Sequence, residues 1–500
     1  MVKSEAGSPY IYGIDALLFF CAFMVAMFHL GFTSWASPYY LRPYKMPLIE
    51  DIAQPGWVGD ELFFVISGFV IINSAASATA ISFLRGRILR LYPAVWICAS
   101  LTLVFIATKD VNRHVVMNYL RSVTLYPAGP WIDGQYWTLA CEIFFYAIVF
   151  IMCATGQRAR MSALALGLSL ASTIFIALLY AFPDSDVLAI FTGTAWRAIP
   201  FYYGCQFAIG IYIWLLSQDR MNRLSWAGFI CALAAGAAQI YMAGGNTSDR
   251  TLDAAGHGFS PLPALFIWGG GLIFIVASVG YSRQIIRLPN TLLKSVRTLG
   301  LMTYPLYLLH LSIGIQLLDW LTNSGMTPLL ALGVAITIVC TMSLAVCKWG
   351  EPPIRRLLRL VFDRLDQRVA GSQTKRVSGL GVPHRRAANG SCRHCSGPIA
   401  HATQSHLSRS ASVTSGRTSS SISFSRNKAS YWESPMLRSQ SPMSMPGFLV
   451  RLSEPSASMR CAGSSRIGPL HVLLVNHTVG APSTPPVRIA VFSSSSLPKA

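Results

Sequence analysis

Charged residues are scarce in this sequence of 500 residues. Asp, Glu, Lys and Arg make up only 12% of it, whereas 53% is hydrophobic and the mean hydropathy is +0.47. A soluble globular protein needs a solvated surface that this composition does not supply, so that class is excluded. Acids are the scarcest, since 20 Asp and Glu stand against 40 Lys and Arg. The composition indicates a basic membrane protein.

The sequence also lacks the cysteine patterns of a disulfide framework or a zinc site. Most of the eleven cysteines lie inside apolar runs, where they act as small hydrophobic residues. Cys392 and Cys395 flank His394, but no second pair of ligands accompanies them. Because a lone C-x-x-C is a weak zinc motif, we expect no metal.

Long apolar runs fill most of the first 350 residues. A window of about 20 residues, enough to cross a hydrocarbon layer of about 30 Å, finds about ten candidate spans. They lie near 13–32, 60–81, 91–108, 136–154, 162–182, 197–216, 225–243, 262–280, 299–319 and 328–347. The sequence therefore predicts an all-α fold, a polytopic membrane helix bundle of about ten transmembrane helices.

Arginine and lysine concentrate in alternate connections between these spans. They cluster at 85–90, 158–160, 220–223 and 283–297, and again after the last span. The positive-inside rule places these connections in the cytoplasm. With an even number of crossings, both termini are predicted to be cytoplasmic. We expect a multi-pass protein of the inner (plasma) membrane, in contact with the lipid bilayer.

The composition changes near residue 371. Beyond it Ser and Arg are frequent, only Glu433 and Glu454 are acidic, and no helical or strand period persists. We divide the chain into a membrane domain, 1–370, and a Ser/Arg-rich low-complexity tail, 371–500, expected to be disordered. A basic arm for anionic lipid or nucleic acid is one alternative, and a shifted reading frame is another. Because the cations are scattered, nucleic acid is not an expected partner.

Four titratable side chains fall in one outer layer when depth is counted at 1.5 Å per residue. They are His29 in the first span, Asp60 and Glu61 at the start of the second, and Glu142 in the fourth. A carboxylate beside an imidazole fixes its tautomer, as a general base requires. The alternatives are interfacial packing for His29, a buried pair for Glu142, and ordinary solvation for Asp60 or Glu61.

Three further side chains are candidates for substrate binding. Tyr136 and Trp137 lie at the outer end of the fourth span, and His310 lies at mid-membrane depth in the ninth. A hydrogen bond between packed helices is the alternative role for His310.

Arginines cluster at the cytoplasmic end of the third span. Arg85, Arg87 and Arg90 lie in the segment FLRGRILRLYP. Guanidinium groups can bind phosphate through paired hydrogen bonds, so these residues are candidates for binding a phosphate-bearing cofactor. Marking of membrane topology is the alternative explanation.

Taken in order, these motifs resemble the membrane-bound acyltransferase 3 family. The segments are GIDAL and FH, GWVGDELFFVISGF, RGRILRLYP, WTLACEIFFY, YPLYLLH and EP, between residue 10 and about residue 360. The resemblance implies a ten-span core and transfer of an acyl group, commonly acetyl from acetyl-CoA, to a polysaccharide or lipid-linked sugar. It also implies the family histidine at His29, its arginine pair at Arg85 and Arg87, and its glutamate at Glu142. Glu61 stands where the family has an acid before LFF.

One position departs from the family pattern. Members usually carry arginine eleven residues before the histidine, and that position is Leu18 here. Eleven residues is about three helical turns, so a cation there would share a face with His29 and could guide the donor. Either another cation substitutes, or the donor is bound differently, or this is a catalytically impaired homologue.

The expected mechanism follows from these two layers. Arg85 and Arg87 hold the phosphates of acyl-CoA, and His29, oriented by Glu142 or Glu61, deprotonates a sugar hydroxyl. An acyl-histidine intermediate is a variant of this scheme. Because a core of about 30 Å separates the layers, the bundle must be pinched or the donor must penetrate it. A transporter would use intramembrane Glu and His as a proton relay, but the sequence has no internal repeat.

Overall fold

The structure is a computed structural model that describes residues 10–37, 44–108, 112–193 and 198–379. Within these ranges the chain forms helices and turns and no strand. The all-α prediction is therefore confirmed for the described part of the chain. The predicted disorder of the tail concerns residues that lie, from 380 onward, outside the described ranges.

The helices of the first half are α1 (Tyr12–Met27), α2 (Ser34–Ala36), α3 (Glu50–Ala53), α4 (Gly59–Ala75), α5 (Ala80–Ala107), α6 (Arg113–Val123), α7 (Tyr136–Ala154), α8 (Met161–Ala181) and α9 (Asp186–Thr192). Those of the second half are α10 (Gly204–Ser217), α11 (Arg223–Ala255), α12 (Leu262–Gly280), α13 (Ser282–Ile285), α14 (Asn290–Leu309), α15 (Ser312–Asn323), α16 (Pro328–Ala345) and α17 (Glu351–Gly379). A π-helical turn, Phe28–Thr33, joins α1 to α2, and another, Val346–Gly350, joins α16 to α17.

Eight continuous helical stretches among the described residues are long and apolar enough to cross a membrane. The pair α14 and α15, bent by 71° at its break, forms a ninth, broken span. The sixth predicted span, 197–216, coincides with α10, which is apolar but has only 14 residues. This helix starts at Gly204 because Pro200 and the turns at 198–203 precede it. The protein is a multi-pass membrane protein, as predicted.

Glycines allow α4 and α10 to cross in direct backbone contact at the centre of the bundle. A Cβ atom on Gly210 would lie 2.0 Å from the Val65 carbonyl oxygen, and one on Gly68 would lie 2.2 Å from that of Phe207. Small residues permit this close approach between membrane helices. The crossing fixes α4, whose other face carries the residues of the candidate site.

The last helix continues past the predicted domain boundary. α17 runs to Gly379, so residues 370 and 371 lie within one helix. It packs on α5, where the Arg355 Nε donates to the Leu89 carbonyl over 3.2 Å. The boundary between 370 and 371 stays a prediction.

Candidate active site

A cavity of about 800 Å³ extends into the bundle between α1, α4, α5, α7 and α14. Its wall on α4 runs from Phe63 to Asn73, which is about 15 Å of helix at 1.5 Å per residue. Thr138 and Tyr307 lie at the Phe63 end. Leu18 lines the cavity as well. The cavity therefore extends along about half of a hydrocarbon core of about 30 Å.

Four arginines line the other end of the cavity, namely Arg87, Arg90, Arg283 and Arg297. Arg297 pairs with Asp15 over 3.2 Å and stacks on the Tyr10 ring. Among the described residues, Arg87, Arg90 and Arg283 form no ion pair. Since the four arginines outnumber the two carboxylates on the cavity, Asp15 and Glu142, this end carries an excess of positive charge and suits an anion.

Arg87 is fixed in place without an acidic partner. Its Nη2 donates to the Ser74 hydroxyl over 2.8 Å, and its guanidinium lies over the rings of Phe83 and Tyr146 at 5.3 and 5.5 Å. Its buried Nε and the Tyr304 hydroxyl, both on the cavity, have no hydrogen-bond partner within the described ranges. Arg87 is therefore held beside the cavity by a hydroxyl and two aromatic rings and not by a carboxylate.

Arg85 points away from this cavity. It pairs with Asp363 and, over 3.0 Å, with Asp366 on α17, and its guanidinium stacks on the Phe362 ring. Of the three arginines predicted to bind phosphate, two therefore line the cavity, and Arg85 joins α5 to α17 instead. The phosphate-binding role of all three stays a prediction.

Glu142 lies on the cavity wall about midway along α4 and is not in contact with His29. It accepts hydrogen bonds from the Ser67 hydroxyl and, over 3.0 Å, from the Tyr146 hydroxyl. The expected contact with His29 was wrong, because counting residues from a predicted helix end gives depth but not the direction of the side chain. Glu142 instead adds a polar group between the two ends of the cavity.

Glu61 also faces a different neighbour from the expected one. Its side chain, 4% exposed, accepts from the Gln239 Nε2 over 3.0 Å. Gln239 in turn accepts from Gln206, which accepts from the Trp268 indole, each over 2.9 Å. The expected orientation of His29 by Glu61 was therefore wrong. The buried amides order the carboxylate on the side of α10, α11 and α12.

The structure brings His29 together with His310. The His310 Nε2 lies 3.0 Å from the His29 Nδ1, which also lies 3.0 Å from the Val25 carbonyl. The His310 Nδ1 lies 2.8 Å from the Tyr307 carbonyl. Because a carbonyl only accepts, each Nδ1 is assigned the proton, and the His310 Nε2 accepts from His29. This assignment leaves the Nε2 of the half-buried His29 with a lone pair, as a general base requires.

A π-helical turn holds His29. In Phe28–Thr33 the carbonyls of His29, Leu30 and Gly31 accept from the side chains of Thr33, Ser34 and Trp35, over 3.2, 2.7 and 2.8 Å. Such turns are frequent at functional sites. The local backbone is thus widened and supported by side-chain donors where the imidazole sits.

Tyr307 connects the cavity to the histidine pair. Its hydroxyl donates to Asp60 and accepts from Thr138, each over 3.0 Å, and its ring centroid lies 5.6 Å from that of His310. Since Tyr307 lines the cavity, only one side chain separates the cavity from His310. The cavity therefore spans part of the expected distance between the two layers and ends at Tyr307.

The remaining predicted residues belong to the aromatic core. Tyr136 is 1% exposed, and the Trp137 ring packs on Phe64 and Tyr203, with centroids 5.8 and 5.1 Å apart. Their substrate-binding role stays a prediction. Sequence reasoning missed Thr138 and Tyr307, although both lie in the segments singled out as motifs. It counted Arg283 and Arg297 only as topology signals.

Comparison with known proteins gives one family and three relatives. Residues 11–347 match the family model for the acyltransferase domain of the acyltransferase 3 type. The chain is 27% identical over 244 residues to a Bacillus subtilis (strain 168) protein provisionally named peptidoglycan O-acetyltransferase YrhL, a match to 43% of this chain and 35% of that protein. It is 24% identical over 246 residues to peptidoglycan O-acetyltransferase OatA of Listeria monocytogenes serovar 1/2a, with the same shares.

A third relative is a protein of Komagataeibacter xylinus, provisionally named membrane-bound transacylase BcsY. It is 26% identical over 189 residues, which cover 34% of this chain and 47% of that protein. The chain thus matches less than half the length of each of these relatives, and no solved structure matches. Because the family model covers about two thirds of the sequence, the family predicted from its motifs is confirmed. The chain belongs to the acyltransferase 3 family.

Proposed function

We propose that the protein is a membrane O-acyltransferase that moves an acyl group from acyl-CoA to a hydroxyl of a cell-surface glycan. Acetyl is the acyl group that we propose. The observation that carries this proposal is the cavity that runs from a group of four arginines to Tyr307, whose ring contacts His310, the partner of His29. Two of the relatives are named for peptidoglycan, so peptidoglycan is the acceptor to test first. Exported polysaccharide and lipid-linked sugar follow.

The shape of the cavity supports acyl-CoA as the donor. A donor whose phosphates bind Arg87, Arg90 and Arg283 needs a long flexible arm to bring its acyl group to Tyr307, about 15 Å along α4. Acyl-CoA combines phosphates with such an arm. Because acyl-CoA is cytoplasmic, the arginine end of the cavity should face the cytoplasm. The start of α1 should face the same side, since Asp15 pairs with Arg297.

The proton transfers follow from the assigned tautomers. The His29 Nε2 takes the proton of the acceptor hydroxyl, and the oxygen attacks the thioester carbonyl carbon. The C–S bond then breaks, and the leaving thiolate takes the proton from His29 as free CoA. While His29 is an imidazolium, its Nδ1–H donates to the His310 Nε2 and stabilises that charge. Attack by His29 itself, to form an acyl-histidine, is the variant of this scheme.

The cavity lining supports an active enzyme more than an impaired one, although Leu18 replaces the family arginine. Arg297, held by Asp15 one helical turn from Leu18, supplies a cation on the same cavity. We therefore favour substitution of the family arginine by another cation, and Arg297 is the candidate.

The experiment measures ester-linked acetate in cells that lack the gene and express the full chain. Mild alkali releases acetate from purified peptidoglycan and, separately, from exported polysaccharide. We expect wild type to raise acetate in one fraction and His29→Ala to return it to the vector level. Arg87→Leu should lower it, whereas the matched Arg85→Leu, outside the cavity, should lower it less.

Two results would contradict the proposed reaction, and a third would contradict the phosphate site alone. Acetate equal to the vector level in every glycan fraction, with altered uptake of sugars into membrane vesicles, would indicate a transporter. Full acetylation by His29→Ala would exclude the imidazole as base or nucleophile. An equal loss for Arg85→Leu and Arg87→Leu would instead exclude the cavity as the phosphate site.

A further inference from the structure

The broken span formed by α14 and α15 leaves backbone groups without helical partners. α14 ends at Leu309, α15 begins at Ser312, and the axes differ by 71°. His310 lies in this break and is fully buried. Backbone groups freed at membrane depth must find partners inside the protein. The partners at this break decide where the His310 ring sits.

Both partners come from the connection between α6 and α7. The Asp133 carboxylate accepts from the Ser312 backbone N–H over 3.1 Å and from the Gly134 N–H over 2.9 Å. The Gln135 Nε2 donates to the Leu308 carbonyl over 2.9 Å. Asp133 and Gln135 are 3% and 2% exposed. One acid and one amide, two residues apart, thus cap the start of α15 and the end of α14.

The connection that carries these caps is itself tied down. The Trp131 indole donates to the Tyr126 carbonyl over 2.8 Å, and the Ile132 N–H donates to the Ser122 hydroxyl over 2.9 Å. Trp131 and Ile132 are each 7% exposed. The caps are therefore held by a packed segment, so they can impose a geometry on the break.

The capped atoms lie two residues before and two residues after His310. With the Leu308 carbonyl and the Ser312 N–H fixed, the His310 Nδ1–H meets the Tyr307 carbonyl and its Nε2 faces His29. We propose that Asp133 is a positioning residue that, with Gln135, orients His310 and so holds His29 in the tautomer of a base. This inference rests on the proposed function, in which His29 moves the proton.

Capping the start of α15 with a buried carboxylate costs folding stability. Burial raises the pKa of Asp133 to about 6, against the lowering effect of the hydrogen bonds from Ser312 and Gly134. At neutral pH the group is therefore buried in its charged form, at a cost to folding stability. The charge is offset by two backbone donors and by the positive end of the α15 dipole.

The test compares Asp133→Ala and Asp133→Asn with Asp184→Ala, which removes an exposed carboxylate from another connection. The full chain is reconstituted in nanodiscs and assayed with acetyl-CoA and de-O-acetylated peptidoglycan strands. Rates are normalised to folded protein by size-exclusion chromatography. Asp133→Ala should lower kcat roughly 10- to 100-fold, as displaced catalytic groups do. It should leave KM for acetyl-CoA unchanged and should shift the pH–rate profile.

Asp133→Asn distinguishes positioning from general stability. Its amide oxygen can still accept from the Ser312 N–H, so it should recover kcat to within about fivefold of wild type, the worth of one neutral hydrogen bond. A normalised kcat and pH profile for Asp133→Ala equal to those of wild type would overturn the proposal. So would Asp133→Asn as slow as Asp133→Ala. If Asp133→Ala does not fold, Gln135→Met, which removes the other cap, must show the same split between kcat and KM. Wild type with no transfer to any glycan would instead contradict the proposed function.

Discussion

Replacing His310 by leucine tests whether the bond between the two histidines contributes to the reaction. In His310→Leu the His29 Nδ1–H keeps only the Val25 carbonyl, 3.0 Å away. The lost bond is worth about 1 kcal/mol while His29 is neutral and roughly 1.5–3 kcal/mol once it carries the proton, because the donor is then charged. Only the difference, about 0.5–2 kcal/mol, acts on the barrier. At about 1.36 kcal/mol per factor of ten, kcat should fall about 2- to 30-fold.

The assay is the initial rate of acetyl transfer in nanodiscs with saturating acetyl-CoA, and His310→Gln is the matched control. A glutamine amide oxygen can take the place of the His310 Nε2 and accept from the His29 Nδ1–H, so His310→Gln should retain most of the activity. Wild-type kcat in His310→Leu would refute the contribution of the bond. A loss as complete as in His29→Ala would mean that His310 is itself the group that moves the proton.

Three further predictions concern the cavity, the helix crossing and the surface. Leu18→Arg adds a cation to the cavity and should lower KM for acetyl-CoA about 10- to 150-fold, which corresponds to roughly 1.5–3 kcal/mol for one added charged contact; an unchanged KM would place the donor phosphates elsewhere. Gly210→Ala forces a Cβ to 2.0 Å from a backbone carbonyl and should lower Tm by several degrees, whereas Gly167→Ala, with open space around it, should not. The hydrogen bond to Glu50 raises the pKa of His257 above its ordinary 6.5. His257→Gln should therefore lower the folding stability fully below pH 6.5, and the difference from wild type should vanish as the pH rises through the raised pKa. A thermal melt across that pH range checks the last, and a constant difference would contradict it.

Hydropathy predicted the spans well because crossing a membrane constrains length and polarity together. All ten predicted positions coincide with a helix or the broken pair. Only the sixth differs, since Pro200 and the following turns leave α10 short. Hydropathy does not show whether an apolar span is straight or bent. The ninth span therefore looked uniform, although it breaks at His310 and Leu311, between α14 and α15.

The depth of each site residue in the membrane was predictable from the sequence, whereas the direction of its side chain around the helix axis was only partly predictable. His29, Glu61 and Glu142 were assigned to one layer, and the structure turns the two acids toward other neighbours. The opposite directions of Arg85 and Arg87 were available from the sequence. Two residues on a helix differ by about 200°, so both could not face one cavity. Contacts across the bundle, such as Gln239 to Glu61, depend on which helices are neighbours, which no local pattern contains.

The π-helical turn at Phe28–Thr33 means that the first span holds one residue more than an α-helix of the same rise would need. Everything after the turn is rotated by about 100° relative to α1, the angle of a single residue. Deleting any one residue of the turn would restore regular winding at no loss of hydrophobic length. A deletion ahead of Phe32 would also rotate that ring off Phe259, which it now meets edge-on. The chain length of this segment is therefore set by register, and the first span should tolerate substitutions far better than single-residue deletions.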